Sequence, residues 1–110
     1  MKIVITTWGS FGDLHPFMAL ALELGRRGHH PAIAAIPSYK EKIERAGIAF
    51  HPVRPDFPPP DQIVEVIRRA VDAHEGPRYI WSRMIAPHLR ETYEDTLAAV
   101  RADGGADLLV

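Results

Sequence analysis

An α/β fold with a doubly wound, Rossmann-like parallel sheet is what the order of apolar segments predicts, and three observations carry it. "KIVIT" at residues 2–6 is apolar and β-branched on both faces, as befits a strand covered by helices on both sides. Helical spacing takes over at Phe17, Leu20, Ala21 and Leu24, and this strand-then-helix alternation continues along the chain. Turn signals stand where each segment should end, notably "GRRG" after the first helix and "AG" after the second.

Strand one is expected from Lys2 to Thr7. Helix one follows from about His15 to Arg27, with Pro16 in its first turn, where a missing N–H costs nothing. "PAIAAI" reads as a second buried strand. "SYKEKIERAG" reads as a helix with Ser38 as N-cap and Gly47 as terminator, and "IAFHPV" as a third strand. "RPDFPPP" is a proline-stiffened loop, and Pro58 to Pro60 are expected to make it rigid, not to form a binding motif. "DQIVEVIRRAVDAH" is an amphipathic helix capped by Asp61. The stretch from Gly76 to Gly105 is helical, divided or kinked at Pro87. "ADLLV" reads as a fourth strand.

Right-handed crossovers then place strand one inside the sheet, strands two and three to one side of it and strand four on the other. Ligands are expected at the carboxyl ends of these strands. A fourth strand at residue 110 leaves a sheet edge and an apolar face without cover, so residues 1–110 are expected to be the leading part of a longer protein. A complete small protein that covers its edge by self-association is the alternative.

The 110 residues are 46% hydrophobic, enough for one domain with a core. Thirteen Lys and Arg against 14 Asp and Glu give a net charge of −1, dispersed along the chain, which argues against nucleic acid as a partner. The absence of cysteine excludes disulfides and thiolate metal sites and fits a reducing compartment, so the cytoplasm is expected. The apolar start is broken at Thr6 and Thr7, too soon for a signal peptide. No apolar run approaches the roughly 20 residues that span a bilayer.

"TTWGSFGDLHPF", residues 6–17, joins strand one to helix one. A dinucleotide-binding turn needs G-x-G-x-x-G so that backbone can approach a pyrophosphate at a helix N-terminus. Here Gly9 and Gly12 stand alone, and Asp13 falls where an anion would sit. Two like charges about 4 Å apart repel by about 4 kcal/mol at an effective dielectric near 20. Phosphate is therefore not expected in this turn. Two roles stand open for Asp13: a cap that accepts backbone N–H groups, or a general base at the carboxyl end of the central strand. His15 stands two residues on, as base, hydrogen-bond donor or an ordinary first-turn residue.

With Gly9, Ser10, Gly12, Asp13 and Pro16 the turn reads G-S-x-G-D-x-x-P. Together with "RRGHHPAIAA" and "AGIAFHPV", it resembles the start of the acceptor-side domain of GT-B glycosyltransferases, specifically the bacterial antibiotic and sterol group. The resemblance is strongest from Met1 to about Val53 and recurs at "ADLLV". It implies an inverting enzyme that moves a sugar from a nucleotide-sugar, a UDP- or dTDP-sugar, to a hydroxyl of a small lipophilic acceptor. Asp13 matches the position proposed as catalytic base in bacterial members, with His15 as a secondary candidate. The resemblance also implies that the nucleotide is held mainly by a C-terminal donor domain outside residues 1–110, so that this chain alone is inactive.

Trp8, Ser10 and Phe11 on the turn are expected to face the acceptor, loop anchoring being the alternative for the two aromatic rings. Phe57, Trp81 and Met84 are candidates for the acceptor pocket, with a core role, which helical spacing favours, as the alternative. No cofactor is implied. No metal is expected, since adjacent His29 and His30 point in different directions. Two other functions compete: a free-standing Rossmann-like module that binds a ligand or partner, and an ordinary nucleotide-binding enzyme, which the missing third glycine and Asp13 disfavour.

Overall fold

The structure is a computed structural model of residues 1–110. Four parallel strands lie in the order β3-β2-β1-β4: β1 is Lys2–Thr6, β2 His30–Ala35, β3 Ala49–Pro52 and β4 Leu108–Leu109. This is the expected topology, with β1 inside. In β1 and β2 successive side chains go to opposite faces. Ile3, Ile5, Ile33 and Ala35 join Leu14, Ala21, Tyr39 and Ile43 in one buried cluster. Val4 and Ala34 join Val53 and Ala99 in a second. Helices therefore cover both faces, with α1 (Phe11–Arg26) and α2 (Lys40–Arg45) on one and α5 (Leu89–Arg101) on the other. Ile5, Leu14, Ile33 and Ile43 are fully buried, and each contributes about 1.5–3 kcal/mol by leaving water.

Helix α1 begins a turn earlier than its apolar spacing suggests. Ser10 is its N-cap, and Asp13, third in the helix, accepts the Ser10 amide N–H at 2.8 Å, which closes the acidic half of a capping box. Pro16 consequently lies inside α1 and not in its first turn; its missing N–H leaves one hydrogen bond of the helix unmade. The stops are as expected. Gly28 (φ +88) and Gly47 (φ +80) take the left-handed conformation after α1 and α2. At each end two backbone bonds close the helix, His29 to Leu24 and Gly28 to Gly25, then Ile48 to Ile43 and Gly47 to Glu44.

Two caps are corrected. Ser38 does not cap α2: it lies in a 3₁₀ turn, Pro37–Tyr39, and its hydroxyl donates to Asp56 at 2.6 Å. Asp61 does not cap α3 (Ile63–Ala70), whose N-cap is Gln62. That helix ends earlier than expected because the Asp72 carboxylate accepts the N–H groups of His74 and Glu75, at 2.9 and 2.8 Å, and turns the chain.

The second long helical stretch is broken as Pro87 requires. A short α4 (Gly76–Tyr79) passes into a π-helical segment, Ile80–Ile85, then a 3₁₀ turn, Ala86–His88, and then α5. The loop after β3 is fastened to α5 by Arg54, whose guanidinium meets both oxygens of Asp95 at 2.8 and 3.0 Å. Its backbone N–H also donates to Asp95, at 2.9 Å, and its carbonyl accepts the Thr92 hydroxyl at 2.7 Å. Strand β4 is short, and Leu108, Leu109 and Val110 remain exposed along its edge. No helix is long and apolar enough to cross a membrane.

Candidate functional site

At the carboxyl end of β1 the chain leaves the sheet through Trp8, Gly9 and Ser10, and these three residues line a groove of about 490 Å³. The opposite wall comes from the proline loop, through Pro55, Asp56, Phe57, Pro58 and Pro59. The far end comes from the π segment and the turn after it, through Arg83, Met84 and His88. The volume falls in the range of small-molecule sites. A larger depression of about 570 Å³ lies at the amino ends of the strands, beside Lys2, His30 and His51. Parallel sheets of this type take their ligands at the other end, so the smaller groove is the candidate.

A row of aromatic rings runs beside the groove. His15 stacks on Phe11 with centroids 5.4 Å apart and planes 3° from parallel, Phe11 meets Tyr39 at 5.3 Å, and Tyr39 and Phe57 meet edge to face at 5.5 Å. Lys42 sits over the Phe11 ring at 4.9 Å. The buried Tyr39 hydroxyl donates to the Gly9 carbonyl at 2.7 Å. Burial, and then the negative charges of Asp13 and Asp56, push the Tyr39 phenol above its ordinary pKa of 10.0, so it stays protonated as a donor.

Of the expected acceptor residues, Trp8, Ser10, Phe57 and Met84 come together in the groove. Phe11 does not line it. Its ring belongs to the aromatic row, which favours the anchoring role for this residue. Trp81 does not line it either, and it stands 56% exposed on the π segment. Asp13 is beside the groove, one hydrogen bond behind Ser10: its Oδ2 accepts the Ser10 amide and hydroxyl, at 2.8 and 3.2 Å, while Oδ1 makes no hydrogen bond. The capping role is thus occupied by one carboxylate oxygen and the other is left over. His15 is two helical residues further, stacked on Phe11 and outside the groove lining.

Sequence reasoning missed Asp56, Tyr39, Arg83 and His88. Asp56 accepts from the Ser38 hydroxyl and the Phe57 N–H, at 2.6 and 2.7 Å, through Oδ1 alone. An aspartate followed by Phe within a proline-stiffened loop was a usable signal, because such a loop cannot pair with a strand and must present its side chains elsewhere. No group of three or more His, Cys, Asp or Glu side chains lies close enough to share a metal ion.

A four-stranded doubly wound sheet with a groove beyond the carboxyl ends of β1 and β3 defines a Rossmann-like α/β domain. Residues 3–102 match the glycosyltransferase family 28 N-terminal domain, and the chain belongs to that family. It is 33% identical to O-mycaminosyltylonolide 6-deoxyallosyltransferase of Streptomyces fradiae over the whole of this chain and 26% of that protein. It is likewise 33% identical to a sterol 3-beta-glucosyltransferase of Leptosphaeria maculans, over 100% of this chain and 7% of that one. The chain therefore spans about a quarter or less of the length of these two relatives. A glycosyltransferase from Streptomyces sp. SF2575 superposes with a TM-score of 0.64 at 22% identity, over 99% of this chain and 32% of that one. This likeness shows the fold, that of the GT-B glycosyltransferases.

Proposed function

We propose that this chain is the acceptor-side part of an inverting glycosyltransferase and that the groove between the glycine turn and the proline loop holds the acceptor. The carrying observation is the groove itself. Trp8, Phe57 and Met84 offer apolar contact, and Ser10, Asp56, Arg83 and His88 offer polar contact, in a volume suited to a lipophilic molecule with hydroxyl groups. Membership of the family and the names of the two relatives, which act on a tylonolide derivative and on sterols, support the same class of acceptor.

In this reading Oδ1 of Asp13 takes the proton as the O–H bond of the acceptor breaks. The oxygen forms a bond to the anomeric carbon of a nucleotide-sugar, the bond from that carbon to the phosphate oxygen breaks, and a nucleoside diphosphate leaves with the electron pair. Ser10 fixes Oδ2 and so aims Oδ1. A C-terminal domain, outside these 110 residues, supplies the donor site, and the cytoplasm supplies the nucleotide-sugar.

The test is to incubate the complete protein with UDP- and dTDP-sugars and a panel of hydroxylated polyketide and sterol acceptors, reading product mass and anomeric configuration. An inverted glycoside, lost on Asp13→Asn, is the expected result. Retention of configuration, or transfer that survives the substitution, would remove Asp13 from the mechanism.

A further inference from the structure

His88 follows the kink at Pro87 and occupies the N-cap position of α5, while also lining the groove. Its Nδ1 is buried and has no hydrogen-bond partner, the sole side-chain polar atom in that condition. Buried polar atoms without partners are rare because each costs about 1–3 kcal/mol. Oε2 of Glu91 lies 3.6 Å from Nδ1 and one helical turn on, too long for a hydrogen bond yet close enough for an ion-pair contact. The side chain is 34% exposed. With Nδ1 sealed, the accessible nitrogen is Nε2, which makes no hydrogen bond within the chain.

We propose that His88 and Glu91 form a hydrogen-bonding station for a second hydroxyl of the acceptor, at the end of the groove away from Asp13. The proposal rests on the acceptor reading of the groove. A shift of about 0.7 Å, from 3.6 Å to an ordinary N–H···O distance, brings the Glu91 carboxylate onto Nδ1, which then carries the ring proton as donor. The neutral ring is thereby committed to the tautomer in which Nε2 has a free lone pair, because the partner of one ring nitrogen sets the state of the other. Nε2 then accepts from an O–H group and offers nothing to an ether or a carbonyl. Met84 and Trp8 line the same groove and supply the apolar contact on which such a molecule lies. The station thus selects acceptors that carry a hydroxyl besides the one that receives the sugar.

Two measurements on the complete protein test this. The first is the tautomer of His88, read from long-range proton–nitrogen correlations of histidine-labelled protein and assigned with His88→Gln. The proton is expected on Nδ1, moving to Nε2 in Glu91→Leu, which leaves Nδ1 without an acceptor; a proton on Nε2 in the unsubstituted protein would overturn the proposal. The second is binding of a dihydroxyflavone against its mono-O-methyl ether. The unsubstituted protein is expected to prefer the dihydroxy compound by about tenfold, the ratio that corresponds to one hydrogen bond of 1.4 kcal/mol. His88→Phe should abolish the preference, and His88→Gln, whose amide oxygen accepts, should restore part of it. If both compounds bind equally to the unsubstituted protein and to the variants, the groove remains an acceptor site and His88 has no part in it. If neither flavone binds, the acceptor reading fails and the proposal fails with it.

Discussion

The hydroxyl of Tyr39 donates to the carbonyl of Gly9 at 2.7 Å and so ties the 3₁₀ turn after β2 to the turn after β1. Gly9 and Ile36, the residue before the 3₁₀ turn, both line the groove. Tyr39→Phe keeps the ring between Phe11 and Phe57 and removes only the hydrogen bond, leaving the Gly9 carbonyl short of its donor. The expected cost is about 1 kcal/mol. Denaturant unfolding measures it, and an unchanged midpoint would show that water replaces the hydroxyl at no cost.

The same phenol sets an alkaline limit. Burial, Asp13 and Asp56 raise its pKa above the 10.0 of the unfolded chain. The group stabilises the fold fully below pH 10, and this contribution is lost as pH rises through the folded value. Tyrosinate absorbance should show the Tyr39 step displaced above pH 10. Tyr39→Phe should remove that late step.

Separate substitutions divide the capping role of Asp13 from the base role proposed for it. Ser10→Ala removes the hydroxyl bond to Oδ2 while the amide bond remains, so stability falls by up to about 1 kcal/mol and turnover persists. Asp13→Asn keeps a cap of nearly the same shape and is expected to lower turnover by about 10²- to 10⁴-fold. If turnover and stability move together in both variants, Asp13 is a cap alone.

Arg54 and Asp95 predict the acid side. The hydrogen-bonded guanidinium holds the Asp95 carboxyl below its ordinary 3.8. Its contribution is present above pH 3.8 and is lost as pH falls through the lowered folded value. Asp95→Asn should melt at lower temperature near neutral pH and show a flatter loss of stability below pH 4. Because the pair fastens the loop that walls the groove, acceptor affinity should fall as well. A variant that melts lower with full affinity would show that the loop holds its position without this pair.

The two tryptophans give an optical readout. Trp8 lines the groove and Trp81 does not. Acceptor binding should quench fluorescence in Trp81→Phe and leave it unchanged in Trp8→Phe. The reverse pattern would move the acceptor onto the outer face of the π segment.

Strand order, parallel pairing and the helix stops were legible because they follow from local rules. Apolar runs such as "KIVIT" and "PAIAAI" must be covered on both faces, and glycines stand at the positive-φ stops of α1 and α2. The start of α1 was misread because the cap uses Asp13, which the apolar spacing does not register. Ser38 and Asp61 had the right chemistry for caps, but Ser38 met Asp56, 18 residues away, a partner that sequence spacing cannot reveal. The groove was half legible. Trp8, Ser10, Phe57 and Met84 were named, while His88 and Arg83 gain their place only through the winding of the π segment and the kink at Pro87.

Gly9 has φ +127, and a Cβ built there would collide with the carboxylate of Asp13. Glycine is therefore imposed twice, once by the backbone dihedral and once by the side chain four residues on. The two constraints give a direction to evolutionary drift. A lineage that loses Asp13 can keep Gly9 unchanged, but one that first replaces Gly9 must break the turn and displace the carboxylate in the same step. Gly9→Ala combined with Asp13→Ala should thus cost less stability than the sum of the single substitutions, because the second removes the clash of the first, while the dihedral strain of Gly9→Ala remains.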